Sequence, residues 1–227
     1  MKKIPKYAII VAGGKGLRMN SEMPKQFLCV QGVPVLMHSI QAFYEYDSKV
    51  SILVVLPQLH SETWARLCEQ YNFRIPHRVV YGGSERFFSV QNGLNFVSND
   101  SVVAVHDGVR PCVTRELLER GYGMAVDFGG VVPIVDSVDS LRMCKGESFT
   151  PIDRTLVKRV QTPQFFQARL LRDSYKQKFS DAFTDDASVY ERAGNLLYVC
   201  EGDQYNIKIT HPCDIAIAEA ILQYQNR

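Results

Sequence analysis

A glycine-rich stretch directly after a short apolar run is the strongest constraint on how this chain folds. Tyr7 to Val11 has the length and the β-branched content of a buried strand. Three glycines follow within four positions, at Gly13, Gly14 and Gly16. Such backbone must turn sharply or allow a ligand to come close. Three cations lie in the same stretch, at Lys15, Arg18 and Lys25. Because free backbone N–H groups and cations both bind anions, the stretch predicts a polyphosphate site.

Two familiar phosphate-binding motifs do not match this loop. The Walker P-loop ends in Gly-Lys-Ser/Thr, and this loop lacks that ending. The dinucleotide fingerprint needs a third glycine where Met19 stands, and it needs a helix at once, which Pro24 disfavours. A nicotinamide-dependent dehydrogenase is therefore disfavoured, and its test is binding of NAD.

Composition narrows the class of protein. A chain of 227 residues with 46% hydrophobic and 22% charged residues is typical of one globular α/β domain, which we expect to span 1–227. The net charge of +2 argues against a nucleic-acid partner. We find no apolar run of membrane-spanning length and no signal peptide. The six cysteines are scattered, which favours reduced thiols and a cytoplasmic location.

Apolar strands alternate with helical segments along most of the chain, which predicts a doubly wound, mostly parallel α/β sheet flanked by helices, Rossmann-like in class. Gly13, Gly82 and Asp107 each follow a predicted strand, and ligands bind beyond the carboxyl ends of such strands. We expect these three loops to meet in one crevice. A carboxylate beside a polyphosphate is a natural ligand of Mg²⁺, which makes Asp107 the candidate metal ligand. Further on, Ala168 to Phe179 is predicted to be helical and Asn206 to Ile209 extended.

Residues 136–158 interrupt the alternation. Short alternating segments surround a turn at Lys145 to Ser148, which predicts a β-hairpin arm projecting from the sheet. A bare arm exposes strand edges that favour pairing with another chain, so we expect a homodimer formed partly through the arm. The alternative is an arm that folds back on its own domain.

Five separated motifs carry a resemblance to a known family. The string AGGKGLRM…PKQF resembles the nucleotidyltransferase signature of the 2-C-methyl-D-erythritol 4-phosphate cytidylyltransferases. Four further segments match the family in order: the segment from Gly82 to Ser89, His106 to Pro111, Gln161 to Phe166, and Asn206 to Thr210; Asp153-Arg154 and Thr184 to Ser188 match as well. The chain departs from the family at Ser84, where Asp is frequent, at Phe87-Phe88, and at Gly108-Val109.

The resemblance implies an enzyme that joins CTP to a sugar-alcohol phosphate with Mg²⁺ and releases pyrophosphate, in isoprenoid-precursor synthesis. Our candidate catalytic residues are Arg18, Lys25, Lys208 and Arg154. Our candidate nucleotide-binding residues are Ala12, Gly13, Gly14, Gly16, Lys25, Gly83, Ser84, Ser89, Asp107, Gly108 and Lys208. By the same resemblance, the acceptor phosphate is bound by Ser137, Arg154, Thr162, Thr184 and Arg110, and the arm residues act in the neighbouring subunit's site.

Two alternative functions stay open at this point. A related polyol-phosphate cytidylyltransferase, for example one acting on ribitol 5-phosphate, shares the glycine loop and the Thr162-Pro163-Gln164 motif. A nucleotide-binding module without turnover is the alternative from another class. The intact charged residues Arg18, Lys25, Asp107 and Lys208 argue against such a module.

Overall fold

The computed structural model describes residues 4–14 and 23–225, and these residues form a layered α/β fold. The strands are β1 (Lys6–Val11), β2 (Cys29–Val30), β3 (Val33–Pro34), β4 (Ser51–Leu56), β5 (Arg78–Tyr81), β6 (Val102–Asp107), β7 (Gly130–Asp136), β8 (Leu141–Lys145), β9 (Ser148–Ile152), β10 (Lys158–Val160), β11 (Gln164–Gln167) and β12 (Tyr198–Glu201). The helices are α1 (Val35–Tyr46), α2 (Ser61–Gln70), α3 (Arg86–Leu94), α4 (Arg115–Phe128), α5 (Ala168–Ser174), α6 (Asp186–Arg192) and α7 (Cys213–Gln225).

The main sheet confirms the predicted doubly wound α/β class. Among the described residues it has eight strands, and β6, β1, β4 and β5 are parallel neighbours. Strand β11 lies antiparallel between β6 and β7, and β10 pairs antiparallel with β7. Strand β12 pairs in parallel with β7 and is the eighth strand. The sequence analysis did not predict β11, whose four residues are too few to show a clear alternation. Gln164 pairs with Val105 in this register, so the residues just before β11 fall beside the carboxyl end of β6.

Apolar side chains on both faces of the sheet explain the unbroken apolar runs of the central strands. In β1, Ala8 and Ile10 belong to the core cluster that includes α1 and α4, whereas Ile9 belongs to the cluster that includes α3 and α5. Strand β6 divides in the same way, with Ala104 on one face and Val105 on the other. A strand buried on both faces needs no polar alternation.

None of the helices in the described residues has both the length and the apolar character that a membrane span requires.

The sheet brings the predicted loops to one edge. Val11 is in register with both Val55 and Asp107, so the carboxyl ends of β1, β4 and β6 lie side by side. The amide of Gly82 donates to the carbonyl of Leu56, which places the end of β5 at the same edge.

The arm has the hairpin structure that was predicted. Strands β8 and β9 pair only with each other among the described residues, and their turn lies between Lys145 and Ser148. Several large apolar side chains of the arm face solvent, including Val138 (71% exposed), Phe149 (62%) and Leu156 (81%). An exposed apolar hairpin of this kind is suited to pairing with another chain.

One predicted helix differs from the structure in its bounds. Helix α5 ends at Ser174, five residues before the predicted end at Phe179. The stretch from Asn206 to Ile209, predicted to be extended, belongs to no strand, and the amide of Ile209 donates to the carbonyl of Val109.

A close approach of α4 to the sheet gives a stability test. A Cβ at Gly121 would lie 2.1 Å from Phe165 of β11, so we expect Gly121→Ala to lower the free energy of unfolding by about 1–3 kcal/mol. Gly123→Ala on the same helix is the matched control, since a Cβ there meets no atom within 4 Å. The control should stabilise the helix by about 0.5–1 kcal/mol. Urea denaturation measures the free energy of unfolding of both variants. Equal changes in the two variants would contradict the close packing of Gly121 against Phe165.

Candidate active site

A cavity of about 420 Å³ lies at the carboxyl edge of the sheet, where the predicted loops meet. Its volume is in the range of small-molecule sites. The residues that line it are Val11, Ala12, Gly13, Gly14, Lys25, Gln26, Gly83, Ser84, Glu85, Arg86, Ser89, Asp107, Val109 and Lys208. Nine of the eleven candidate nucleotide-binding residues are therefore brought together. Of the other two, Gly16 lies outside the described residues, as do Lys15 and Arg18.

The first wall of the cavity is the end of β1 together with a short 3-10 turn at Lys25–Phe27. The buried side chain of Gln26 donates from Nε2 to the carbonyl of Ala12 at 2.8 Å and so fastens the turn to the strand. Lys25 donates from Nζ to the carbonyl of Ile209 at 3.1 Å. The ammonium of Lys25 thus lies between the glycine loop and the segment that carries Lys208.

The second wall is the loop from Gly82 to Ser89. The hydroxyl of Ser89 accepts from the amide of Gly83 at 3.2 Å and donates to the carbonyl of Glu85 at 3.1 Å. With 4% exposure, Ser89 shapes the loop from within. A Cβ at Gly83 would lie 2.3 Å from the Cβ of Phe88, so only glycine fits beside this phenylalanine. The loop conformation is therefore fixed by side chains on the α3 side.

The unusual Phe87-Phe88 pair lies beneath the loop and does not line the cavity. Phe87 is 5% exposed, and its ring stacks on Tyr175 with the ring centroids 4.7 Å apart. The ring of Phe183 also stacks on that of Phe87, with the ring centroids 5.7 Å apart. The two phenylalanines thus pack beneath the loop and support it. Because their rings do not line the cavity, they take up none of its volume.

Three cations surround the carboxylate of Asp107 at the end of β6. Its Oδ2 lies 2.8 Å from Lys208 Nζ and 3.7 Å from Arg110 Nε, and its Oδ1 lies 3.6 Å from Arg86 Nε. Burial alone would raise the pKa of Asp107. The charges of Arg86, Lys208 and Arg110 outweigh burial and hold that pKa well below its usual range. Asp107 is therefore a permanent negative charge in a strongly positive surrounding.

Arg86 is a site residue that the sequence analysis did not identify. Its Nη2 donates to Oδ2 of the fully buried Asp186 at 2.7 Å, and the hydroxyl of Tyr175 donates to Oδ1 of the same carboxylate at 2.6 Å. Burial would lower the pKa of Arg86, but Asp186 and Asp107 raise it above its ordinary value. The signal in the sequence was a cation in the first turn of α3, a position that the helix dipole disfavours unless a carboxylate is near.

Arg110 and Thr162 lie behind Asp107 and outside the lining of the cavity. Thr162, at 6% exposure, accepts at Oγ1 from the amide of Asp107 at 3.0 Å. Burial lowers the pKa of Arg110, and Asp107 opposes this effect. Burial also lowers the pKa of the neighbouring His106 to about 4, so this imidazole is neutral at pH 7. Gly108 is buried too, and its amide donates to the carbonyl of Val11, not into the cavity.

The remaining candidate acceptor residues are not brought to this cavity within one chain. Ser137 and Arg154 belong to the arm, where Arg154 Nη1 donates to the carbonyl of Val138 at 2.6 Å. Thr184 is exposed just before α6, and its amide donates to the hydroxyl of Ser188. All three stay predictions as acceptor-binding residues.

The ion pair between Arg86 and Asp186 gives a stability test. Asp186 is 0% exposed, and removing its partner leaves a buried charge unpaired, which costs about 3–5 kcal/mol in fully buried pairs. Because Arg86 is 30% exposed, we expect Arg86→Ala to fall at the lower end of that range.

The matched control is Lys176→Ala, which removes an ion pair with Asp173 whose side chains are 73% and 51% exposed. Its cost should stay below about 1 kcal/mol. Chemical denaturation of the two variants checks the contrast, and a similar cost for both would show that Asp186 does not depend on Arg86.

Comparisons with known proteins identify the family of this chain. The family model for 2-C-methyl-D-erythritol 4-phosphate cytidylyltransferase (IspD) matches residues 7–224. A protein of that name from Bacteroides thetaiotaomicron is 49% identical over 214 residues, covering 94% of this chain and 98% of the relative. Another of that name, from Bacteroides fragilis, is 47% identical and covers 95% and 98%.

Solved structures give the same result. The crystal structure of 4-diphosphocytidyl-2C-methyl-D-erythritol synthase from Anaerococcus prevotii has a TM-score of 0.81 at 28% identity, over 97% of this chain and 96% of that one. The crystal structure of 2-C-methyl-D-erythritol 4-phosphate cytidylyltransferase from Thermus thermophilus has a TM-score of 0.79 at 29% identity, over 97% and 100%. With a family model that matches residues 7–224 and relatives 49% and 47% identical, this chain belongs to the 2-C-methyl-D-erythritol 4-phosphate cytidylyltransferase family.

Proposed function

We propose that this enzyme transfers CMP from CTP to 2-C-methyl-D-erythritol 4-phosphate, giving 4-diphosphocytidyl-2-C-methyl-D-erythritol and pyrophosphate. The carrying observation is the convergence of Lys25, Arg86 and Lys208 on one cavity whose glycine-rich wall leaves room for phosphates. An oxygen of the acceptor phosphate attacks the α-phosphorus of CTP, the bond to the β-phosphate breaks, and pyrophosphate departs. The pathway is that of isoprenoid-precursor synthesis.

The cations supply what this reaction needs. The acceptor phosphate is already anionic at pH 7, so no side chain has to remove a proton. Negative charge gathers on the α-phosphate and on the departing pyrophosphate, and preorganised cations stabilise it. The Lys208 side chain lines the cavity and is 42% exposed while it contacts Asp107, and Lys25 lines the cavity beside Gly13 and Gly14. We assign charge stabilisation to these two lysines, and to Arg18 from its position in the sequence.

Mg²⁺ is the proposed cofactor, with Asp107 as its protein ligand. Among the described residues no three His, Cys, Asp or Glu side chains form a metal cluster. This donor set suits Mg²⁺, which proteins commonly hold through one or two carboxylates together with substrate phosphates. Asp107 would therefore hold the ion only in company with the triphosphate. When bound, Mg²⁺ neutralises charge on the phosphates.

We further propose a homodimer in which the arm of one subunit completes the site of the other. Within one chain Ser137 and Arg154 lie on the exposed hairpin arm, whose apolar residues include Phe149 and Leu156. An acceptor phosphate needs cations of its own beside the triphosphate site, and Arg154 offers one. The six free thiols are consistent with a reducing compartment, and we propose the cytoplasm.

A pyrophosphate-release assay tests the function. Purified enzyme with Mg²⁺ is given CTP, UTP, ATP or GTP and either methylerythritol phosphate or ribitol 5-phosphate. The proposal expects release only with CTP and methylerythritol phosphate. Release with ribitol 5-phosphate alone would identify the related polyol-phosphate enzyme, and tight CTP binding without release would identify a nucleotide-binding module.

Lys25→Ala should lower kcat by about 10²–10³ with the fold intact, because loss of one charge contact in the transition state typically costs that much. Circular dichroism and the denaturation midpoint verify the fold. Lys49→Ala, at an exposed position between α1 and β4, is the control and should keep wild-type turnover. A Lys25→Ala enzyme within a few-fold of wild type would show that the lysine has another role.

Mixed dimers test the shared site. A heterodimer of Arg154→Ala and Lys208→Ala chains, isolated through two different tags, has one site with both residues intact and one with neither. At limiting acceptor it should show about half the wild-type turnover, since a twofold dimer has two equivalent sites. Each homodimer of a single variant should be far less active. A heterodimer no better than its parents would place Arg154 in its own chain's site or outside it.

A further inference from the structure

Behind the cavity, four residues from three separate segments form a closed ring of hydrogen bonds. His106 is the penultimate residue of β6, and Arg110 lies in the turn that follows. Thr162 precedes β11, and Asn206 lies two residues before Lys208. His106 and Asn206 are each 0% exposed and neither lines the cavity. Neither residue can therefore touch a nucleotide bound in the cavity.

The hydrogen-bond directions in the ring follow from donor chemistry. The carbonyl of Arg110 can only accept, so His106 Nε2 carries a hydrogen and donates to it at 3.1 Å. In the neutral ring Nδ1 is then an acceptor, and the hydroxyl of Thr162 lies 3.3 Å from it. The same hydroxyl accepts from the amide of Asp107 at 3.0 Å. His106 thereby orients Thr162, and Thr162 holds the backbone of Asp107.

Asn206 closes the ring on the other side. Its Nδ2 donates to the carbonyl of Thr162 at 2.8 Å, and its own carbonyl accepts from Arg110 Nη1 at 2.7 Å. The carbonyl of Asn206 lies two residues from Lys208, so the position of that lysine depends on this anchor. The segment from Asn206 to Ile209 forms no strand. Ile209 anchors it after Lys208, through the carbonyl of Val109 and the ammonium of Lys25, and Asn206 anchors it before Lys208.

We propose that His106 and Asn206 are positioning residues of the cytidylyl-transfer site, because the ring that they close through Thr162 and Arg110 holds Asp107 and Lys208 in their mutual geometry. This inference rests on the proposed function for its kinetic consequences, whereas the ring itself is a property of the fold. His106, Thr162 and Asn206 are buried and the Arg110 side chain is only 12% exposed. Loss of one hydrogen bond in the ring leaves its partner group unpaired away from water, so it should disturb the other members.

The experiment uses two variants with matched controls. Turnover per folded enzyme is measured for His106→Leu and Asn206→Ala, beside His77→Leu and Asn195→Ala. His77 also has both ring nitrogens hydrogen-bonded, to Trp64 and to Ile75, and Asn195 bonds Ser174 and Tyr190, all away from the cavity. We expect kcat to fall about 10²-fold in the ring variants, since a misplacement of about 1 Å can cost that much, and to change little in the controls.

A positioning role makes a second kinetic demand. Introduced into Lys208→Ala enzyme, Asn206→Ala should cost less than about threefold further, because the residue through which it acts is already gone. If kcat of both ring variants stays within about threefold of their controls, or if the losses from Asn206→Ala and Lys208→Ala multiply, the proposal is wrong.

A substrate-free measurement separates this proposal from the proposed function. In a cycle of His106→Gln and Thr162→Val, the urea midpoint of the double variant should equal that of the worse single variant, because each change breaks the same ring. If the shifts in urea midpoint of the two single variants add up in the double variant, the proposed ring is wrong. Should His106→Leu not fold, His106→Gln serves in its place for kinetics. If wild-type enzyme releases no pyrophosphate, the proposed function is wrong. The urea midpoints of this cycle would still show whether the ring exists, because they need no substrate.

Discussion

A single buried carboxylate, that of Asp107, organises the charge of this site. Burying a carboxylate is costly, and the structure offsets the cost with three cations that belong to distant parts of the chain. Arg86 comes from the start of α3, Arg110 from the turn after β6, and Lys208 from the segment before α7. Without Asp107 the three cations would repel one another. They can stay close together, as a polyphosphate site requires, only while that carboxylate is ionised. Its lowered pKa ensures that state at physiological pH.

Buried polar residues behind the cavity hold the side chains of the site through hydrogen bonds and ion pairs. Asp186 and Tyr175 fix the guanidinium of Arg86. Asp185 caps α6 in a capping box with Ser188 and also accepts from Gln164 Nε2, whose side chain in turn binds the amide of Ala187. The start of α6 and strand β11 are thus locked together, and with them the carboxylate that holds Arg86. A site supported in this way needs little reorganisation when charge develops in the transition state.

The sequence was informative wherever local chemistry decides structure. The apolar runs of β1 and β6 and the glycines after β1 predicted the sheet and the position of the crevice, and nine candidate residues line the cavity. It was uninformative wherever partners lie far apart in the chain. Strand β11 is recognisable only from its pairing with β6 and β7, and the importance of Arg86 depends on Asp186, one hundred residues later. His106 begins one of the segments that match the family, yet only the structure shows that its ring faces Thr162 and Arg110.

The distribution of charge also explains why one chain presents a nucleotide site without an evident acceptor site. Lys25, Arg86 and Lys208 line the cavity, while Arg154 lies on an exposed arm. Two anionic substrates that must meet repel each other, so each requires its own compensating cations. If all of these belonged to one cavity in one chain, the unliganded site would concentrate uncompensated positive charge. In the proposed homodimer, Arg154 from a second subunit would divide that cost between two folded units. The apolar surface of the arm would then have a use, because the contact that buries Phe149 and Leu156 would also deliver the cation.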